Sequence, residues 1–202
     1  GSGSIDLDAS RRFALALQAS RFDPHTLWAA APAGSLSGSL AASGRLRARP
    51  ELEGRFALAD SRLAGFPVAG DGVISLADGH LSHTKFSLDA LGNRVSAEGA
   101  FGRAGESLAF RLDAPALARL GAGFDGRLTG SGTLAGSLEQ FSGNLDLRGD
   151  RLALPGGHRL DAINLRARLP AGRSSPFSLQ LTAAGYRRPG ELEARIRRAS
   201  LD

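Results

Sequence analysis

Apolar and polar residues alternate with a period of two in one segment of this chain after another. Clear cases are Phe13-Ala14-Leu15-Ala16-Leu17, Gly54-Arg55-Phe56-Ala57-Leu58 and Leu108-Ala109-Phe110-Arg111-Leu112. The pattern returns in Leu145-Asp146-Leu147, Phe177-Ser178-Leu179-Gln180-Leu181 and Leu192-Glu193-Ala194-Arg195-Ile196. Successive side chains of a strand point to opposite faces, so each segment predicts a strand with one apolar face and one polar or small face. Ala69-Gly70-Asp71-Gly72, Asp78-Gly79, Gly92-Asn93 and Pro155-Gly156-Gly157 read as turns between strands, because Gly, Asn and Asp tolerate the positive φ of tight hairpins. The expectation is an all-β chain of short strands. Two places depart from it. Asp23-Pro24, and Asp113 with Pro115, read as a helix N-cap with a first-turn proline, each opening one short helix that ends near Ala31 and Leu120 respectively.

These two places also begin a repeat. Asp23 and Leu27 match Asp113 and Leu117; Gly34, Leu36, Gly38, Gly44 and Leu46 match Gly126, Leu128, Gly130, Gly136 and Leu138. Gly54, Phe56, Leu58, Arg62 and Leu63 match Gly143, Leu145, Leu147, Arg151 and Leu152, at offsets that stay between 89 and 92. A sustained period means similar units stacked on one apolar surface. Residues 1–4, Gly-Ser-Gly-Ser, read as a cloning remnant and residues 5–202 as a single elongated domain of two similar units, about 22–101 and 112–190. The chain itself then reads as a piece of a longer protein.

Composition narrows the chemistry. The chain is 42% hydrophobic, enough to bury or present a sizeable apolar surface, and its longest apolar stretch, Leu27 to Pro32, is far too short to cross a membrane as a helix. It has no cysteine, which removes disulfides, thiolate metal sites and a cysteine nucleophile. Net charge is +5, and Lys85 is the single lysine, so the cationic surface is built of guanidinium forks that favour anionic partners.

Catalytic and metal motifs find little support. Gly121-Ala122-Gly123-Phe124-Asp125-Gly126 spells a dinucleotide fingerprint, but it follows a predicted helix and enters a predicted strand, the reverse of the context that motif needs, and reads as a turn. His80 and His83 lie three apart on a predicted strand and so face opposite ways. The acidic residues stand singly, no nucleophile elbow or P-loop lysine occurs, and neither an enzymatic activity nor a cofactor is expected. Arginines cluster at Arg45/Arg47/Arg49, Arg187/Arg188 and Arg195/Arg197/Arg198. They alternate with apolar residues and lack interleaved aromatics, which favours a solvated outer sheet face over a lipid head-group contact, and either over nucleic acid.

Apolar work is done mainly by Leu and Ala, with one Trp, one Tyr and ten Phe, a composition that suits a smooth, curved sheet face as well as a sandwich core. Three elements in order shift that balance: G-x-P-V-x-G-x-G from Gly65 to Gly72, L-A-D-G at Leu76–Gly79, and L-G-N-R-V-x-A-x-G from Leu91 to Gly99. With the phrase running from Leu112 to Gly136, they resemble the C-terminal region of the TamB family, within the AsmA-like group. The resemblance implies an elongated, curved antiparallel sheet forming an open, taco-like hydrophobic groove, with one or two short helices. It implies a periplasmic protein anchored in the inner membrane by a segment outside this chain, with phospholipid as cargo. A TamA-type outer-membrane barrel is the implied partner, reached through parts of the parent protein beyond this chain. The alternative it leaves open is a chaperone-like groove for outer-membrane protein strands. At about 4.8 Å per strand, some fifteen strands would make a groove on the order of 70 Å long.

The residues expected to line such a groove are the apolar strand positions. In the first unit they are Phe56, Leu58, Leu63, Ile74, Leu76, Phe86 and Leu88. Further along the chain they are Leu108, Phe110, Leu112, Leu128, Leu145, Leu147, Leu152, Leu154, Ile163, Leu165, Phe177, Leu179, Leu181 and Ile196. A closed, packed core is the rival reading of the same residues.

Overall fold

The computed structural model describes residues 2–5, 12–26, 33–45, 51–63, 65–121, 123–137, 140–170, 177–187 and 199–201. The chain forms one open antiparallel sheet, the all-β architecture that the alternation implies. Among the described residues thirteen strands follow one another in sequence order: β1 (Ser2–Ile5), β2 (Arg12–Phe22), β3 (Gly34–Arg45), β4 (Glu51–Leu63), β5 (Phe66–Ala77), β6 (His80–Ala90), β7 (Asn93–Phe101), β8 (Ser107–Ala114), β9 (Asp125–Gly136), β10 (Phe141–Leu154), β11 (His158–Leu169), β12 (Ser178–Ala184) and β13 (Ala199–Leu201). The Ser2–Ser4 segment read as a remnant lies in β1, paired with Ala14–Ala16 of β2. By packing, the chain divides into two compact units, Gly1–Ala90 with Ser96–Gly102, and Leu91–Val95 with Arg103–Asp202.

Most strands are 11 to 14 residues long, longer than the punctuation by glycine predicts. The reason is visible in β5. Ala69-Gly70-Asp71-Gly72 is not a turn but mid-strand, with Gly72 opposite Phe56 on one side and Phe86 on the other. A Cβ at Gly72 would lie 2.8 Å from Phe56 Cε1 and would also strike Phe86 Cβ. Glycine here makes room for an aromatic ring lying across the strand. Gly132 of β9 does the same beneath Phe110 of β8, where a Cβ would lie 2.9 Å from Phe110 Cε1. Asp78-Gly79 does form a two-residue hairpin turn, with φ of 51° and 81°. The next turn is Leu91-Gly92, φ 55° and 86°, one residue earlier than Gly92-Asn93. Asn93 is instead the first residue of β7 and is buried.

At the two predicted helices the described residues form 3-10 turns, η1 (Pro24–Thr26) and η2 (Leu117–Leu120). Asp23 does act as a cap: its Oδ1 accepts from the backbone N–H of His25 (3.1 Å) and of Gly34 (3.0 Å). Residues 27–32, where the first helix was expected to end, lie outside the described residues. Asp113 caps nothing. It pairs with Thr129 in the β8–β9 ladder; Pro115 keeps Ala114 extended, and having no N–H of its own it cannot continue the ladder, so the strand ends there. η2 begins only after Ala116.

Three strand interiors carry a non-glycine residue with positive φ where the register shifts: Arg21 in β2, Asp60 in β4 and Arg151 in β10. By this bulge Asp60 is the counterpart of Arg151 and Ser61 of Leu152, two residues from the match made on Arg62. After the β4 bulge, the fully buried Ser61 accepts from the Ser37 backbone N–H (2.8 Å) and donates to the Ser37 carbonyl (2.9 Å). After the β10 bulge, Leu152 is buried against Ala114 and Leu117, with Leu120, Phe124, Leu128, Leu160 and Ile163 around them.

A candidate apolar sheet face

Register decides which side chains share a face. In the first unit, Leu17 faces Leu40, Leu40 faces Phe56, Phe56 faces Gly72, and Gly72 faces Phe86. One row away, Leu58 faces Gly70, which faces Leu88; on the other side, Gly54 faces Ile74, and Leu52 faces Leu76. Opposed and i, i+2 positions lie on one side of a sheet, so Phe56, Leu58, Ile74, Leu76, Phe86 and Leu88 form one apolar face with Leu17 and Leu40. Leu63, past the bulge, pairs with Gly34 and Phe66.

The second unit repeats the arrangement. Phe110 faces Gly132, which faces Leu145, which faces Ala167, which faces Leu179. Leu112, Gly130, Leu147, Leu165 and Leu181 form the next row, and Leu128, Gly149, Ile163 and Ala183 the one after. Leu108 faces Leu134. Leu154 lies beyond the bulge opposite His158 and is 38% exposed, while Phe177 precedes β12 and is 50% exposed. Ile196 lies outside the described residues. Leu15, Leu17, Leu40, Leu52 and Leu134 belong to these faces but were not singled out from sequence, although Leu15 and Leu17 lie in the first alternating segment.

These faces are not a closed core. Among the described residues only Ala97, Ala114, Leu117, Leu152 and Ala183 are buried apolar side chains. Of the described positions expected to line a groove, Leu152 alone is buried, and Ile74 in the middle of β5 is 37% exposed. The cluster around Leu152 marks where η2 folds over the second unit's face. Asn93 holds it there: its Nδ2 donates to the Ala116 carbonyl (3.1 Å), and its Oδ1 accepts from the Ala116 N–H (3.2 Å).

The opposite faces are polar. In the first unit they carry ion pairs: Arg45–Glu51 (3.5 Å), Arg55–Glu53 (2.8 Å) and Lys85–Glu98 (3.3 Å). Hollows occur on this side, one of about 440 Å³ edged by Arg12, Ser43, Arg45 and Glu51 in the first unit, and one of about 750 Å³ in the second. His80 is buried and His83 exposed, on either side of a register shift in the β5–β6 ladder. Among the described residues no three His, Cys, Asp or Glu side chains come together as metal ligands. Of the arginine clusters, Arg47, Arg49, Arg188, Arg195, Arg197 and Arg198 lie outside the described residues. Arg187 lies 3.8 Å from Asp161, and its backbone pairs with Arg159.

Comparison with curated proteins and with solved structures found no match. Comparison with family models found the model described as TamB, N-terminal domain, which matches residues 1–194. That corrects the region: the glycine-spaced elements from Gly65 to Gly99 resemble a C-terminal segment of the family, yet the match spanning nearly the whole chain is to its N-terminal domain. The same strand-and-glycine pattern occurs twice within this chain, so short motifs of this kind identify the family better than the position within it. The family's role is a non-enzymatic one, in the translocation and assembly module. By a match of this extent the chain belongs to the TamB family.

Proposed function

We propose that this chain is a segment of a periplasmic bridge that carries phospholipid acyl chains along its apolar sheet face between the inner and outer membranes. The observation that carries the reading is the face itself, rows of Leu and Phe side chains in register across β2–β6 and β8–β12 with, among the described residues, only the η2 end covered. An extended exposed apolar surface is rare on a protein that has no use for it.

The energetics suit a conduit. Keeping one methylene from water is worth roughly 0.8 kcal/mol, so a whole acyl chain on such a face is held strongly against release into water. Against a bilayer it is held hardly at all, because both environments are hydrocarbon. Lipid can therefore enter and leave at the membranes while being retained between them, with its head group in water. Small residues and glycines between the leucines keep the path smooth. A TamA-type barrel is the partner this role calls for at the outer membrane.

Photocrosslinking residues placed at Phe56 and Leu147 test the proposal in cells. Crosslinks that carry phospholipid support it; crosslinks that carry outer-membrane protein strands and no lipid replace it with a role in barrel assembly.

A further inference from the structure

The larger hollow lies on the face of the second unit opposite the leucines. Its floor is β9, where Thr129 and Ser131 present short hydroxyl side chains between longer ones on β8, β10 and β11. Register places Arg111, Ser131, Asp146 and Arg166 in one row across the four strands, with Asp113, Thr129 and Arg148 in the next. Arg168 stands opposite Asn144, one row to the other side. Rows on one face are about 6.6 Å apart and strands about 4.8 Å. Arg168, Arg166 and Arg148 therefore form a line along one wall, and Arg111 stands on the other.

The lining holds four arginines and two aspartates, a formal charge of 4 − 2 = +2. Asp146 is engaged by Arg166 (Nε–Oδ1 3.1 Å). Among the described residues Arg111, Arg148 and Arg168 have no carboxylate partner. On the first unit's polar face Arg45, Arg55 and Lys85 each hold a glutamate; among the described residues Arg12 and Arg62 have no carboxylate partner, but of these two Arg12 alone borders that unit's hollow. The hollow is an open depression of about 750 Å³. Planar guanidinium forks beside hydroxyls match the oxygens of a phosphate, each fork able to donate two parallel hydrogen bonds.

We propose that this hollow recognises a phosphate ester, with Arg111, Arg148 and Arg168 neutralising its charge and Thr129 and Ser131 donating to its oxygens. The phosphate belongs either to a lipid head group at a bilayer surface or to a soluble ester. The inference concerns the polar face and stands apart from the reading of the apolar one.

The test uses the 202-residue chain, with three ligands: vesicles of phosphatidylglycerol in phosphatidylcholine, vesicles of phosphatidylcholine alone, and soluble glycerol 1-phosphate. Arg111→Gln/Arg148→Gln/Arg168→Gln is compared with Arg12→Gln/Arg55→Gln/Arg62→Gln, which removes as many charges from the first unit. All six side chains are exposed, and far-UV circular dichroism checks that the strands are kept. The second-unit triple variant is expected to weaken binding of the anionic ligand by about tenfold or more, and the first-unit triple by less than about twofold. Single Arg148→Gln falls between. Binding to the phosphatidylglycerol vesicles alone assigns the site to head groups; binding of glycerol 1-phosphate as well assigns it to the ester itself. Phosphatidylcholine carries its phosphate neutralised by choline, so the net-anionic esters are the ones the arginines should select. Equal weakening by both triple variants reduces the effect to diffuse net charge and overturns the proposal, as does the absence of binding to both net-anionic ligands or equal binding to both vesicle types.

Discussion

The two units share one face and differ on the other. Their apolar faces use the same device, an aromatic ring from one strand laid over a glycine on the next: Phe56 over Gly72, and Phe110 over Gly132. Their bulges come at corresponding points, Asp60 and Arg151, but the residue after the bulge is a hydrogen-bonded Ser61 in one and a packed Leu152 in the other. Both polar faces carry ion pairs, but the second unit also gathers Arg111, Arg148 and Arg168, without a carboxylate partner among the described residues, around one hollow. What is kept in both is the apolar surface, and what varies is how each unit is pinned and what its outside attracts.

Substitutions can sharpen that contrast. The largest effect is expected inside the second unit, between its covered and uncovered apolar positions. Leu152→Arg loses packing and buries a charge and should cost about 3–5 kcal/mol, whereas Leu147→Arg, half-buried on the open face, should cost about 1 kcal/mol or less. Urea denaturation measures both, and equal costs would mean that the whole face is a closed core. Next come the glycines under the rings. Gly72→Ala and Gly132→Ala should each cost about 1–3 kcal/mol, because Phe86 Cβ in the first case and the Asn144 carbonyl in the second leave no space that a ring rotation alone could free. Ser61→Ala should cost a similar or smaller amount, about 1–2 kcal/mol, by leaving the buried Ser37 N–H without its acceptor. Hydrogen exchange at the Ser37 amide should speed up with it. The smallest effect belongs to the exposed pairs: Glu53→Gln should change stability by less than about 0.5 kcal/mol, and salt should erase even that.

How much of this was legible in the sequence follows from what each residue type can encode. Period-two alternation reports its face without knowledge of the partner strand, so Phe56, Leu58, Phe110, Leu112, Leu145 and Leu147 were identifiable before any register was known. Glycine carries two messages. Gly79 supplies a positive φ at a turn, while Gly72 supplies an absent side chain beneath a ring, and nothing local separates them; reading Gly70 and Gly72 as punctuation shortened β5. Asn93 reads as a turn residue because its partner, Ala116, lies 23 positions away and is met only through the fold. Asp113 reads as a cap because the effect of Pro115 on Ala114 competes with it. The ion pairing of the two polar faces is a matter of register, so the arginine excess of the second unit stayed hidden behind a chain-wide charge of +5.

The central claim is that the half-buried Leu and Phe rows of the open faces hold acyl chains. Its most direct test is mass spectrometry of an organic extract of the purified chain beside a Phe56→Arg/Leu147→Arg variant, with circular dichroism confirming that both are folded. The account predicts phospholipid bound to the unsubstituted chain and lost from the folded variant. A chain that carries no phospholipid and takes up none when it is supplied would contradict it.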